Sequence, residues 1–78
     1  MFSYVYILKS LKDKKFYVGC TNDLNRRLRE HNSGCSFATK ARTPFELIYF
    51  EGYKNRQDAE EREKFLKLGG VGSILKIN

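Results

Sequence analysis

Residues 2–8, Phe-Ser-Tyr-Val-Tyr-Ile-Leu, are almost all aromatic or β-branched, a composition that favours extended backbone. Side chains alternate along a strand, so Phe2, Tyr4, Tyr6 and Leu8 point one way and Val5 and Ile7 the other. A strand that is apolar on both faces has to be covered on both, which places it at the centre of its sheet. The chain has little material for that cover. Its 78 residues make one small domain, expected to run from 1 to 78, and so short a chain buries only about 60% of its unfolded surface. Five Tyr and six Phe, 14% of the chain with no Trp, therefore carry much of the core.

The rest of the chain is punctuated around that strand. The polar stretch 9–14 reads as a turn, and residues 15–19 return as a hairpin partner. A helix follows, with Thr21 or Asn22 as N-cap, Asp23 at the positive end of its dipole and Gly34 as its stop. Leu24 and Leu28 form its inner stripe, with Arg27 and His31 alongside. Residues 35–44 read as a basic loop ending at Pro44, and 45–51 alternate as a third strand. A second helix from about Arg56 to Leu68 carries Ala59, Arg62, Glu63 and Leu66 on one stripe and closes at Gly69-Gly70. The expected fold is α+β: a small three-stranded antiparallel sheet flanked by helices, in the order β-β-α-β-α.

Several function classes drop out early. No apolar run approaches the roughly 18 residues of a membrane span, and Met1-Phe2-Ser3-Tyr4 lacks the pattern of a signal peptide. Cys20 and Cys35 lack disulfide-framework or zinc-ligand spacing, so a reduced, cytoplasmic setting is the expectation. Gly69, Gly70 and Gly72 have no P-loop lysine after them and read as a helix stop. The formal charge of +6 is localised: residues 1–44 hold nine basic and three acidic side chains, residues 45–78 six of each. A field of that kind attracts a polyanion.

A few side chains stand out as chemistry. Tyr6 and Tyr17 come close across a turn centred near Asp13, either as core tyrosines or as site hydroxyls. Arg27, on a half-buried stripe, needs an anion, which is either a phosphate or an internal carboxylate. His31, one helical turn on, suits a proton carrier, an orienting group or a helix-end cation. Glu63 borders the buried stripe of the second helix, as a ligand for a hard divalent ion or as a boundary carboxylate paired with Arg27. Cys20 has no base placed for it and reads as a packing thiol, and Cys35 as a loop residue.

Together these residues resemble the GIY-YIG nuclease domain, over nearly the whole chain. Tyr4-Val5-Tyr6 matches the family's first motif and Tyr17-Val18-Gly19 its second, with Gly19 a structural motif residue. The helical arginine and histidine match Arg27 and His31, and the metal-binding glutamate matches Glu63. Tyr4 stands where the family's name has glycine. The chain is similar to small free-standing members and to the N-terminal nuclease module of excision-repair endonucleases.

The resemblance implies hydrolysis of DNA phosphodiesters by water with one divalent cation, Mg²⁺ or Mn²⁺, held on Glu63. It implies charge stabilisation by Arg27 and a general base drawn from Tyr6 or Tyr17, with Tyr6 the preferred assignment. His31 would orient Tyr17 or relay the proton. Tyr6, Tyr17, Arg27 and Glu63 are then expected to line one concave basic surface. Lys12, Lys14, Lys15, Arg26, Arg29, Lys40 and Arg42 form the expected phosphate-contact surface, which positions DNA without reading bases. No base-reading helix is apparent, so low sequence specificity is expected, with structure-selective cutting in repair or recombination and a protein partner or oligomer supplying choice. The competing readings are a binding or adaptor module of the same fold and a plain structural domain.

Overall fold

A computed structural model describes residues 2–75; the expected domain limits at 1 and 78 lie outside the described residues. The elements are β1 (Ser3–Ser10), β2 (Phe16–Thr21), α1 (Leu24–Asn32), β3 (Phe45–Tyr53), α2 (Arg56–Phe65) and α3 (Val71–Leu75). The three strands form an antiparallel sheet in the order β2-β1-β3, so β1 is central and β2 and β3 are edges. The doubly apolar β1 explains that order. Val5 and Ile7 are fully buried with Val18, Ala59 and Leu66 on the α2 face. Tyr6 and Leu8 are buried with Phe45 on the opposite face, where Leu24 and Leu28 of α1 pack. The fold is α+β in the expected order, with α1 and α2 on opposite faces of the sheet. Among the described residues no helix is long and apolar enough to cross a membrane.

Local details depart from expectation. The N-cap of α1 is Asp23, whose carboxylate accepts the Arg26 backbone N–H at 3.0 Å. Thr21 is not the cap because it is still in β2, where its hydroxyl instead accepts the Asp23 N–H. All three strands run two residues further at their C-terminal ends than the pattern suggested, to Ser10, Thr21 and Tyr53. Pairing of β1 with β3 slips between Ile7 and Leu8, which face Tyr49 and Leu47, so Ile48 bulges. The second helix does not end simply at the glycines. It passes through a π-type turn, Leu66–Gly70, that breaks where Gly69 takes φ +110°, and α3 follows. The segment expected as a basic loop contains a 3₁₀ turn, Lys40–Arg42, and buries Ser36 and Thr39.

Candidate active site

Tyr6 sits at the middle of β1, and its register partner on β2 is Gly19. A Cβ at Gly19 would fall inside contact distance of the Tyr6 hydroxyl and ring carbon, so only glycine leaves the phenol its place. The phenol reaches across to α1, where its oxygen lies 3.0 Å from His31 Nε2. His31 Nδ1 lies 2.6 Å from Thr39 Oγ1, and both His31 and Thr39 are fully buried. Tyr17, opposite Leu8 on β2, shares this face. Its ring centroid is 5.1 Å from that of His31, against 5.9 Å for Tyr6. The two tyrosines therefore meet around one imidazole.

Burial pushes the Tyr6 phenol up to about 12, although a hydrogen bond from Arg27 pulls the other way and Glu63 adds to the rise. Burial also pushes His31 down, and Arg27 adds to that while Glu30 opposes it. Both groups are thus neutral near pH 7 in the unliganded chain.

Arg27 and Glu63 come from helices on opposite faces, yet they line one cleft of about 600 Å³ at the end of β2. Arg26, Arg56, Glu30 and Glu60 line it too. Its charges are paired off within the protein. Arg27 donates to Glu30 at 3.0 Å, Arg56 lies 3.7 Å from Glu60, and Glu63 accepts from Lys67 at 2.8 Å. The cleft holds three arginines and three glutamates and is not the basic surface expected. Tyr6 and Tyr17 do not line it either. Tyr6 forms part of the packed floor beneath Arg27, and Tyr17 opens into a second cleft along β2 with Lys67 and Leu66. The Glu63–Lys67 ion pair joins the two clefts, since each partner lines one of them.

The expected phosphate-contact residues divide. Lys14, Lys15, Arg29 and Lys40 are exposed. Lys12 donates to the Ala41 carbonyl, and Arg26 to Asn22, with Glu30 3.8 Å away. Arg42 needs correction as a surface contact. It pairs with Asp13 at 2.7 Å, donates to the Phe16 carbonyl and lies over the Phe45 ring, so it ties the β1–β2 turn to the loop. Cys20 packs against the α2-side core, and burial pushes its thiol up, opposite to what a thiolate nucleophile requires.

Sequence reasoning passed over Thr39, Glu30 and Lys67. Glu30 and Lys67 are only one helical turn from Arg27 and Glu63, a spacing that does predict pairing. For Thr39 there was no such signal. Among the described residues no three His, Cys, Asp or Glu side chains converge as a metal-binding group. Glu63 still suits a hydrated hard cation. Its carboxylate is partly shielded at the cleft wall, with Glu60 on the same wall, and Mg²⁺ is commonly held by one or two carboxylates with water and phosphate oxygens completing its shell.

A family model described as the GIY-YIG catalytic domain matches residues 2–69. A UPF0213 protein of Clostridium perfringens is 46% identical over 66 residues, covering 83% of this chain and 70% of that protein. One from Haloquadratum walsbyi is 42% identical over 67 residues, 85% of this chain and 74% of its own. The solution NMR structure of a UPF0213 protein from Bacillus halodurans superposes with a TM-score of 0.52 at 37% identity, covering 86% of this chain and 71% of that one.

Proposed function

The chain belongs to the GIY-YIG catalytic-domain family, and on that premise we propose that it is a metal-dependent endonuclease that hydrolyses DNA phosphodiesters with low sequence specificity. The observation that carries the proposal is the meeting of Arg27 and Glu63, from opposite faces of the sheet, in one cleft, with Tyr6 packed beneath Arg27. Attack on phosphorus builds negative charge on the non-bridging oxygens. Arg27, exchanging Glu30 for the phosphate, is the side chain placed to receive it, and its planar fork suits two oxygens at once. Tyr6, in its ionised phenolate form, accepts the proton of the attacking water and becomes the neutral phenol, and Tyr17, beside the same imidazole, orients that water. His31 holds Tyr6 in place.

Glu63 would hold Mg²⁺ or Mn²⁺, releasing Lys67. When bound, such an ion would supply Lewis-acid charge beside the phosphate and offset the contribution of Glu63 to the rise of the Tyr6 phenol, a rise that comes mainly from burial. Lys14, Lys15, Arg29 and Lys40 hold the backbone without reading bases. Action in the cytoplasm, in repair or recombination and with a partner or second copy supplying target choice, belongs to the same proposal.

A second reading, a binding or adaptor module, draws on the internal pairing of Arg27 with Glu30 and Glu63 with Lys67, which satisfies the cleft without a ligand. Incubating nicked, flapped and supercoiled plasmid DNA with the protein and Mg²⁺ or Mn²⁺ separates the two. Cleavage that is lost in Glu63→Ala and Arg27→Ala supports the nuclease. DNA binding without cutting under every metal supports the adaptor.

A further inference from the structure

Phe37 is the most exposed large apolar side chain among the described residues, at 94%, and the proposed chemistry gives it no task. It does not hang on a loose segment. Ser36 before it and Thr39 after it are buried, and the Thr39 N–H donates to the Ser36 carbonyl at 3.2 Å. Thr39 Oγ1 in turn lies 2.6 Å from His31 Nδ1. The turn holds the ring out in solvent from an anchored base, where it contributes almost no buried area to folding.

The surface around that ring is cationic. No Asp or Glu occurs between Glu30 and Glu46. The β1–β2 turn is tied to the same segment: Ser10 Oγ donates to the Arg42 carbonyl at 2.6 Å, Lys12 Nζ to the Ala41 carbonyl at 3.0 Å, and Arg42 pairs with Asp13. That turn brings in Lys14 and Lys15, exposed like Lys40, while its Asp13 is neutralised by Arg42. An aromatic ring among exposed lysines fits a nucleic-acid strand, whose phosphates meet the cations and whose base meets the ring. A second copy of the chain docking here would set these cations against their own kind. Within a duplex both faces of a base are covered by its neighbours, so the ring needs a base at a gap, flap or single strand.

We propose that Phe37 is a specificity-determining residue that stacks on an unpaired base, so that the substrate class is DNA with an exposed single-stranded segment. The inference rests on the reading of the chain as a DNA-cutting enzyme. Ser3 lines the cleft of Arg27 and Glu63, and Ser10 ends β1 at the basic turn, so the strand sets the two apart by roughly 23 Å. The stacked base therefore lies several nucleotides from the cut phosphodiester, and Phe37 selects the substrate without touching the reacting atoms. Every base has a π-face, so stacking of this kind agrees with low sequence specificity.

The chain contains no Trp, so Phe37→Trp places a single indole at the site, and its fluorescence reads stacking. In the absence of divalent metal, oligo(dT) and flapped DNA are expected to quench that emission, and relaxed closed circular duplex to bind without quenching it. In anisotropy titrations Phe37→Ala is expected to weaken oligo(dT) binding about tenfold, within the roughly 5- to 150-fold that one base–aromatic stack is worth. Phe37→Trp should keep wild-type affinity, and Phe37→Leu, apolar but without a π-face, should bind as weakly as the alanine variant. With Mg²⁺ or Mn²⁺ added, Phe37→Ala should lose the preference for cutting flapped over closed circular DNA. Substitutions at so exposed a position leave the fold intact, which thermal melting checks. Unquenched emission from DNA-bound Phe37→Trp, equal quenching by closed circular duplex, or wild-type oligo(dT) affinity in Phe37→Leu overturns the proposal. Emission that changes with protein concentration without DNA assigns the ring to a second copy and overturns it as well. Quenching and selective binding with no cutting under either metal overturns the nuclease reading alone.

Discussion

Gly19 and Tyr6 show how one position limits another across the hairpin. The phenol occupies the space a Cβ at Gly19 would need, and Tyr6 is only 2% exposed, so its ring has nowhere to retreat. Gly19→Ala is expected to push the Tyr6 oxygen away from His31. The strain should cost about 1–3 kcal/mol of stability, read by thermal melting, while cleavage falls further than the lost folded fraction explains. An alanine variant that keeps wild-type melting and cleavage would contradict this use of the glycine. At this scale the sequence was partly legible. The identity of Gly19, Tyr6, Arg27, His31 and Glu63 stood out as a pattern, but the reason for the glycine and the contact of Thr39 did not. A residue eight positions past His31 in a polar loop carries no periodicity that would bring it back under the helix.

Between elements, Glu51 joins β3 to α2. Its carboxylate accepts from Arg62 at 2.9 and 3.1 Å, from Tyr49 at 2.5 Å and from Tyr53 at 2.7 Å. Burial alone would push this carboxyl up, but the hydrogen bonds from Arg62, Tyr49 and Tyr53 outweigh it and bring it to about 2. A depressed carboxyl stabilises the fold above its unfolded pKa and loses that contribution as pH falls toward its folded value. Unfolding experiments should therefore show stability falling from about pH 4.5 to about pH 2, with that limb flattened in Glu51→Gln. The substitution should also cost about 1.5–3 kcal/mol at neutral pH, the weight of a hydrogen bond to a charged group. A variant with the wild-type acid limb would remove Glu51 from this role. The elements were legible because periods of two and 3.6 are written into β1, β3 and the helix stripes. The Glu51 cluster was not: Tyr49 and Tyr53 share its side of the strand, but nothing in the spacing announces Arg62, eleven residues on. The chain beyond Gly69 was equally opaque, since a glycine at φ +110° that ends a helix and one that redirects into α3 look alike in sequence.

Over the whole molecule, the +6 charge is not a uniform coat. Arg27, Arg56 and Lys67 are matched by Glu30, Glu60 and Glu63, which leaves the cleft balanced, and Arg42 is matched by Asp13 at the β1–β2 turn. The exposed Lys14, Lys15, Arg29 and Lys40 are the side chains expected to meet phosphates. Roughly four such contacts predict that log Kd for duplex DNA changes by about 3 to 4 per tenfold change in salt, measured by anisotropy. A salt-independent affinity would exclude this surface. The charge asymmetry between the two halves was visible in sequence, whereas the pairing that neutralises the cleft depends on helices meeting across the sheet. The most direct test of the chemistry compares single-turnover DNA cleavage by wild type and Tyr6→Phe across about pH 6 to 9 with Mg²⁺ or Mn²⁺ present. Wild-type cutting should quicken as pH rises, because a phenol pushed up to about 12 in the free chain ionises further with each step. Tyr6→Phe should lose about 10²–10⁴ in rate together with that slope. A Tyr6→Phe protein that cuts at the wild-type rate, with the wild-type slope, would contradict the assignment of Tyr6 as the base.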